Sequence, residues 1–354
     1  MSKAAELAAL IGSQTALSNR NLIINGAMQV AQRGTSTSSV TGNGYHACDR
    51  WKFDTTDEST LTISQATDVP SGKGFANSFK MDVTVAESSV ASDDQTFLNH
   101  RIEGQNLQQL KKGTSSAESV TVSFYVKSTK TGTFCLELED KDNSRHISKQ
   151  YSVSASDTWE FKTITFDGDT TGTLDNDNGE SLRLKFWLVA GSDFTSGTLA
   201  TSWASITNAN AAVGQVNAFD STSNNWLITG IQLEVGEQAT PFEHRSFADE
   251  LIKCQRYFEL IGYALGRAVS TTQAEVNSAF KVDKRAAPTI TLKETSSAIA
   301  EFLRSAANIT SLDSTYNSQT THCGNRLTSS DTGMNSGELV SVIKPDSLAA
   351  DAEL

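Results

Sequence analysis

Four aspartates and a glutamate crowd one Gly-rich stretch of the chain: Asp167, Asp169, Asp175, Asp177 and Glu180. Carboxylates at alternating positions are donors of the kind a hard cation takes, so Asp167, Asp169, Asp175 and Asp177 are candidate ligands for a structural Ca2+. The spacing departs from an EF-hand loop, because Gly179 does not follow a correctly phased Asp/Asn series. A solvated hairpin turn has the same composition. Glycan cleavage would ask for two of these carboxylates as a catalytic pair. Nucleophilic chemistry finds less support. His46, His100, His146, His244 and His322 are scattered without a His-x-x-x-His pair, and no G-x-S-x-G elbow occurs. No catalytic residue is assigned, and the expectation is a protein that is not an enzyme.

Recognition is the other chemistry within reach. Over 182–189, Leu182, Leu184, Phe186 and Leu188 fall on one face of a strand, and Arg183, Lys185 and Trp187 on the other. Over 120–126, Thr121, Ser123 and Tyr125 oppose an apolar face. Rings beside polar groups suit stacking on sugars, which makes Trp187, Arg183, Lys185 and Tyr125 candidate ligand contacts. An outward Trp also packs well under a loop or at a subunit interface. A further candidate contact is Tyr316 with Asn317, approached by Asn308, in the turn-rich segment 310–337.

Strands must position these groups. Leu61 and Ile63 alternate, as do Phe79, Met81, Val83 and Val85, then Val120, Val122, Phe124 and Val126. Phe134, Leu136 and Leu138 follow Gly132 and predict a hairpin with the preceding strand. Trp159, Phe161, Ile164 and Phe166 mark another strand, and 226–235 a closing one. Such spacing predicts an all-β fold, an antiparallel β-sandwich of jelly-roll type over 20–236. Trp51 beside Asp49 and Arg50 reads as framework. Residues 1–19 contain a short helix with Leu7, Leu10 and Ile11 on one face, too short to stand alone in water. They are read as an attachment or self-association segment. Residues 237–259 read as a linker and a helix capped by Ser246, with Phe247, Leu251, Cys254 and Phe258 in one stripe. Residues 260–354 read as a smaller β-rich domain, with strands at 279–283, 289–292 and 339–343.

A formal charge of −12 and no Lys/Arg cluster argue against nucleic acid and anionic membrane as partners. No apolar run reaches a transmembrane length, and the N-terminus lacks the basic and apolar regions of a signal peptide. The cysteines, at 48, 135, 254 and 323, match no zinc spacing and are expected to be buried thiols.

Several blocks carry a resemblance. Near the start stand Asn21-Leu22-Ile23-Ile24-Asn25-Gly26-Ala27-Met28, Gln32-Arg33-Gly34 and Asp49-Arg50-Trp51. Arg101-Ile102-Glu103-Gly104 and Val122-Ser123-Phe124-Tyr125-Val126-Lys127 follow. Gln232-Leu233-Glu234, Ala239-Thr240-Pro241-Phe242-Glu243 and Cys254-Gln255-Arg256-Tyr257-Phe258 close the set. Together, from about residue 20 to 258, they resemble tail-fibre and fibre-like virion proteins of bacteriophages, notably marine phages. The resemblance implies a structural virion protein assembled in the host cytoplasm. It implies a homo-oligomer, a trimer, joined to other tail proteins and attached to host surface polysaccharide or lipopolysaccharide. A head-mounted fibre or decoration protein and a fibre-borne depolymerase are the alternatives. Light scattering is expected to give a trimer rather than a 38.0 kDa monomer. A chain starting at residue 20 is expected to keep its cooperative melt.

Overall fold

A computed structural model of the chain describes residues 19–262, 264–293, 300–302, 305–307, 309–316, 318–329, 336–337, 339–342 and 348–354. The N-terminal stripe of Leu7, Leu10 and Ile11 lies outside the described residues, as do Asn308 and Asn317. Two compact units meet in sequence between Phe247 and Ala248.

The strands of the first unit begin with β1 (Ser36–Val40), β2 (Lys52–Thr55), β3 (Thr60–Ala66), β4 (Ser78–Val85), β5 (Gln95–Glu103) and β6 (Val120–Ser128). They continue with β7 (Gly132–Asp140), β8 (Arg145–Val153), β9 (Glu160–Phe166), β10 (Glu180–Ala190), β11 (Ala204–Ser205) and β12 (Asn225–Val235). One short helix, α1 (Ser192–Thr195), follows β10. Two six-stranded sheets result, ordered β1-β3-β4-β12-β6-β9 and β11-β8-β7-β10-β5-β2. Their neighbours pair antiparallel. The chain crosses from sheet to sheet repeatedly, as in a jelly roll. The all-β antiparallel sandwich expected from alternation is what forms.

Inward residues from both sheets share one core. Leu61, Ile63, Phe79, Met81, Val122, Phe124, Trp226 and Leu233 come from the first sheet. Phe53, Leu98, Phe134, Leu136, Ile147, Leu184 and Phe186 come from the second. Each such side chain contributes roughly 1.5–3 kcal/mol by leaving water. The predicted hairpin of 120–126 with 134–138 is corrected here. β6 pairs with β9 and β12, whereas β7 pairs with β8 and β10. Both strands alternate because they face the same core from opposite sheets.

The first block of the resemblance closes the sandwich. Asn21 Nδ2 donates to Ile231 O, and Asn21 Oδ1 accepts from Ile23 N and Leu233 N. Ile231 N donates to Gly26 O. Gly26 has to be glycine, since a Cβ there would lie 2.1 Å from Ile231 O. Asn25, at φ 59, donates from Nδ2 to Val30 O and Asp49 O, and accepts from Trp51 Nε1 at its own carbonyl. Asp49 in turn accepts from Gln32 N and Gln32 Nε2. The separated blocks are thus one hydrogen-bonded unit.

The second unit starts with α2 (Phe247–Gln255). Its strands are β13 (Phe258–Ile261), β14 (Ala264–Ala268), β15 (Gln273–Ala279), β16 (Thr289–Leu292), β17 (Ala300–Phe302), β18 (Ser305–Ala307), β19 (Ile309–Thr315), β20 (His322–Ser329), β21 (Leu339–Val342) and β22 (Leu348–Asp351). They form a three-stranded sheet, β13-β22-β16, and a seven-stranded one, β18-β17-β21-β14-β15-β20-β19. Three expectations change. The helix stops at Gln255, and Phe258 opens a strand instead of ending the helical stripe. The strand placed at 279–283 lies earlier, as β15. Where the structure describes the segment read as turn-rich, it forms two paired strands, β19 and β20; their Ser/Thr/Asn-rich sequence hides buried Cys323 and Leu327. All four cysteines are buried, with no disulfide among the described residues. Burial pushes the Cys135 thiol up to about 12, and Glu137 adds to the shift.

Two buried groups contribute to the response to acid, beside other depressed carboxyls such as Glu137 and Asp169. His100 packs edge-on against Trp51 at 5.1 Å, with Nε2 3.2 Å from both Ile24 N and Ile24 O. Burial, then the Arg50 guanidinium, holds its pKa well below 6.5. Burial opposes charge on Glu139, but Lys185, Lys141 and Arg183 hold its carboxyl at about 2. Both folded-state values are depressed, so the unfolded chain binds these protons first and stability decreases as pH is lowered. The His100 contribution is present above pH 6.5 and lost below it. The Glu139 contribution is present above 4.5 and lost as pH falls toward 2. Melting temperature is therefore expected to decline on acidification, first through the His100 range and then through that of Glu139 and the other depressed carboxyls. His100→Gln is expected to flatten the first stage, from about pH 7 to about pH 5, even though its melting temperature is lower throughout. His46, shifted downward chiefly by burial, leaves a residual slope. An unchanged slope would remove His100 from this role.

Candidate functional site

Trp187 does project from β10 on the face opposite the shared core, but it does not reach solvent. It is 1% exposed. After β10 the chain folds back over this face, and Phe194 of α1, Ala211 and Ala212 join Phe97, Cys135 and Trp187 in a second small core. The Trp187 ring lies 5.2 Å from Phe97 and 5.4 Å from Phe194. Its Nε1 donates to Glu137 Oε2 at 2.9 Å, and Glu137 Oε1 meets His146 Nδ1 at 2.9 Å. Arg183 and Lys185 are spent in the same ladder. Lys185 Nζ lies 2.6 Å from Glu139 Oε2, and Arg183 Nε donates to Glu180 Oε1 at 2.6 Å. The expectation of a ligand face at Trp187, Arg183 and Lys185 is corrected: a returning segment covers the ring, and carboxylates of β7 and β10 take the cations.

The Asp-rich stretch holds a cation of the protein's own. Lys112 Nζ sits 2.5 Å from Asp140 Oδ2 and 3.0 Å from Asp169 Oδ2. It also donates to Thr171 O and Gly172 O. Arg145 Nε and an Arg145 amino nitrogen donate to the two oxygens of Asp169. Burial would raise the Asp169 pKa, but Arg145 and Lys112 hold it below the usual range. Asp177 Oδ1 accepts from Gly179 N, Asp175 N donates to Asp142 Oδ2, and Asp167 is exposed. Asp167, Asp169, Asp175 and Asp177 therefore do not converge as a Ca2+ cage. No group of three acidic, His or Cys side chains able to hold a metal occurs among the described residues.

In the second unit Tyr316 is 51% exposed. It lines a cleft of about 650 Å3 on the seven-stranded sheet, with Leu265, Arg267, Glu275, Asn277 and Leu339.

Tyr125 leads to a different arrangement. It stands on β6, on the outer face of the first sheet, opposite Phe161 of β9. Their ring centroids are 4.9 Å apart. Phe75 follows 5.7 Å from Tyr125, then Phe242 at 5.0 Å and His244 at 5.3 Å from Phe75. Five rings thus run from the edge strand across β6 to the loop before β4 and the segment after β12. Phe161 is 52% exposed, His244 is exposed, and the other three are half-buried. The strip rests on Gly230, which takes φ +63 at a bulge in β12; a Cβ there would lie 2.5 Å from Phe75 Cζ. Beside the rings, Lys127 Nζ bridges Asp68 and Asp157 at 2.9 and 2.8 Å, and Trp159 Nε1 donates to Asp68 Oδ1.

The segment carrying Phe242 and His244 is tied down rather than loose. Thr240 donates from N and Oγ1 to Glu234, Glu243 N donates to Gln232 Oε1, and Asn21 N donates to Glu243 Oε2. The closing Gln-Leu-Glu and Ala-Thr-Pro-Phe-Glu blocks thus position two rings of the strip. Sequence reasoning found Tyr125 by parity but missed Phe75, Phe161, Phe242 and His244. For Phe161 the signal was a parity change. Trp159 and Phe161 face out, whereas Ile164 and Phe166 face the core.

No family model matches the chain, and no curated protein matches it in sequence. The chain overlaps partly with several solved structures. The enzymatically active domain of tailspike protein 4 from Bacteriophage CBA120 matches at 13% identity and TM-score 0.32, over 61% of this chain and 21% of that one. A family 61 carbohydrate-binding module in complex with beta-1,4-galactotriose matches at 9% identity and TM-score 0.32, over 62% of this chain and 100% of that one. A family 11 module from a Clostridium thermocellum cellulase matches at 12% identity and TM-score 0.29, over 57% of this chain and 99% of that one. Overlap this slight does not bear on function.

The Lys112 arrangement makes its own demand. Removing the ammonium would leave Asp140 and Asp169 buried without it. Lys112→Met is therefore expected to cost about 3–5 kcal/mol, read as a lower denaturation midpoint. EDTA is expected to leave the midpoint of the unaltered protein unchanged; a fall with EDTA would restore a metal to this loop.

Proposed function

We propose that this chain is a receptor-binding part of a phage particle, a tail fibre that attaches to host surface glycan without chemistry of its own. The observation that carries the reading is the strip of five rings on the outer face of the first sheet. Solvent-accessible rings next to hydroxyl and charged groups match the mixed apolar and polar faces of a sugar chain. The virion setting is supported by the motif blocks, two of whose side chains, Tyr125 and Phe242, stand in the strip itself. Attachment then rests on several copies acting together, a trimer, since individually weak contacts become tight when linked. Immunogold labelling of intact particles distinguishes a tail from a head position.

Phe161→Ala and Tyr125→Ala are each expected to weaken adsorption to host cells about tenfold, equivalent to about 1.4 kcal/mol. Phe161 is exposed, so its replacement is expected to leave the melting temperature within a degree or so of the parent, since surface changes cost little. Normal adsorption by particles carrying both substitutions would reject the strip as the contact surface.

A further inference from the structure

The charges around the strip bear on which glycans it takes, and this inference rests on the glycan reading above. On the outer face of the first sheet Lys127 is clamped between Asp68 and Asp157, and Lys80 lies 3.1 Å from Asp82. At the far end Arg245 is 3.0 Å from Glu243 and donates to Ile23 O and Asn21 O, while Arg20 donates to Pro241 O. Lys73, two residues before Phe75, is exposed. Among the described residues, the cations named here beside the rings are therefore matched by carboxylates or turned to backbone carbonyls, apart from exposed Lys73. The chain as a whole carries −12.

We infer that the ligand of the ring strip is an uncharged oligosaccharide. A uronic acid, sulfate or sialic acid group would need a cation released from an existing partner, and breaking such a pair offsets what the new one gains. It would also approach an acidic protein against the long-range field. A neutral sugar meets neither cost. Its C–H faces cover Phe161, Tyr125 and Phe75, and its hydroxyls can use exposed Asp68, whose counter-charge Lys127 already supplies, and exposed Thr163, two residues from Phe161 on β9. The rings succeed one another at 4.9, 5.7 and 5.0 Å across the strands. A ligand lying along them crosses the sheet and is longer than one sugar ring.

A glycan array carrying neutral, uronic-acid and sulfated oligosaccharides of increasing length tests this, with the full chain and its Phe161→Ala variant. Hits are followed by calorimetry at low and high salt. The expected result is binding of neutral glycans that strengthens beyond the monosaccharide, falls about tenfold in the variant, and changes less than about twofold with salt, as contacts without net charge are little screened. Phe161-dependent binding confined to acidic glycans, weakened by salt, would overturn the inference and leave the glycan reading standing. Absence of any Phe161-dependent glycan binding would overturn both.

Discussion

The sandwich depends on one short contact, the approach of Gly26 to Ile231. At this point the entering chain touches the last strand closely enough that no side chain fits between them. Asn21 bonds to Ile231 and Leu233 on the same strand. In a jelly roll the first and last segments are far apart in sequence, so joining them carries a large loop-closure cost. Short polar side chains on backbone groups make that joint directional, where apolar packing alone would let the strand slip. Asn25 extends the joint to Val30 and Asp49, and Trp51 returns to the Asn25 carbonyl.

The two outer faces of the sandwich solve the same problem in opposite ways. Each sheet must leave one side away from the shared core. The second sheet covers its side with the returning segment around Phe194 and with an ion-pair network in which Glu139 of β7 meets Lys185 and Arg183 of β10, and Glu180 meets Arg183 on the same strand. The charges there are consumed in holding strands together. The first sheet instead carries Thr121, Ser123, Tyr125 and Lys127, with rings laid over them from a loop and from the chain after β12. One face is closed, and the other keeps Phe161 and His244 exposed.

Period-two alternation is legible wherever inward residues are large and apolar, as in β3, β4, β6, β10 and β12. It does not reveal which sheet a strand joins, because β6 and β7 display the same pattern to one core from opposite sides. It also misses β5, whose inward positions include His100, and β8, where Ile147, Tyr151 and Val153 are spaced by Ser and Lys. Parity places Trp187 on the correct face but carries no sign of a cover formed by residues 191–212. The Asp-rich stretch reads as a metal loop because its counter-ion, Lys112, stands more than fifty positions earlier in the chain. Side chains that cooperate across such distances leave no local spacing to detect.

The ring strip was hard to see for the same reason, yet its construction ties it to the joint that closes the fold. Glu234 and Gln232 stand on the last strand and hold the segment that follows through Thr240 and Glu243. That segment returns to Asn21 and carries Phe242 and His244 over Phe75. The bulge at Gly230, next to Ile231, forms the floor under Phe75. The Gly26 contact and the seat of the central ring are thus neighbouring residues of one strand. A substitution that moves this strand would displace the rings without touching them, whereas Phe161, on the edge strand, can be changed independently of the joint. This is why the exposed end of the strip separates recognition from folding, and its central ring does not.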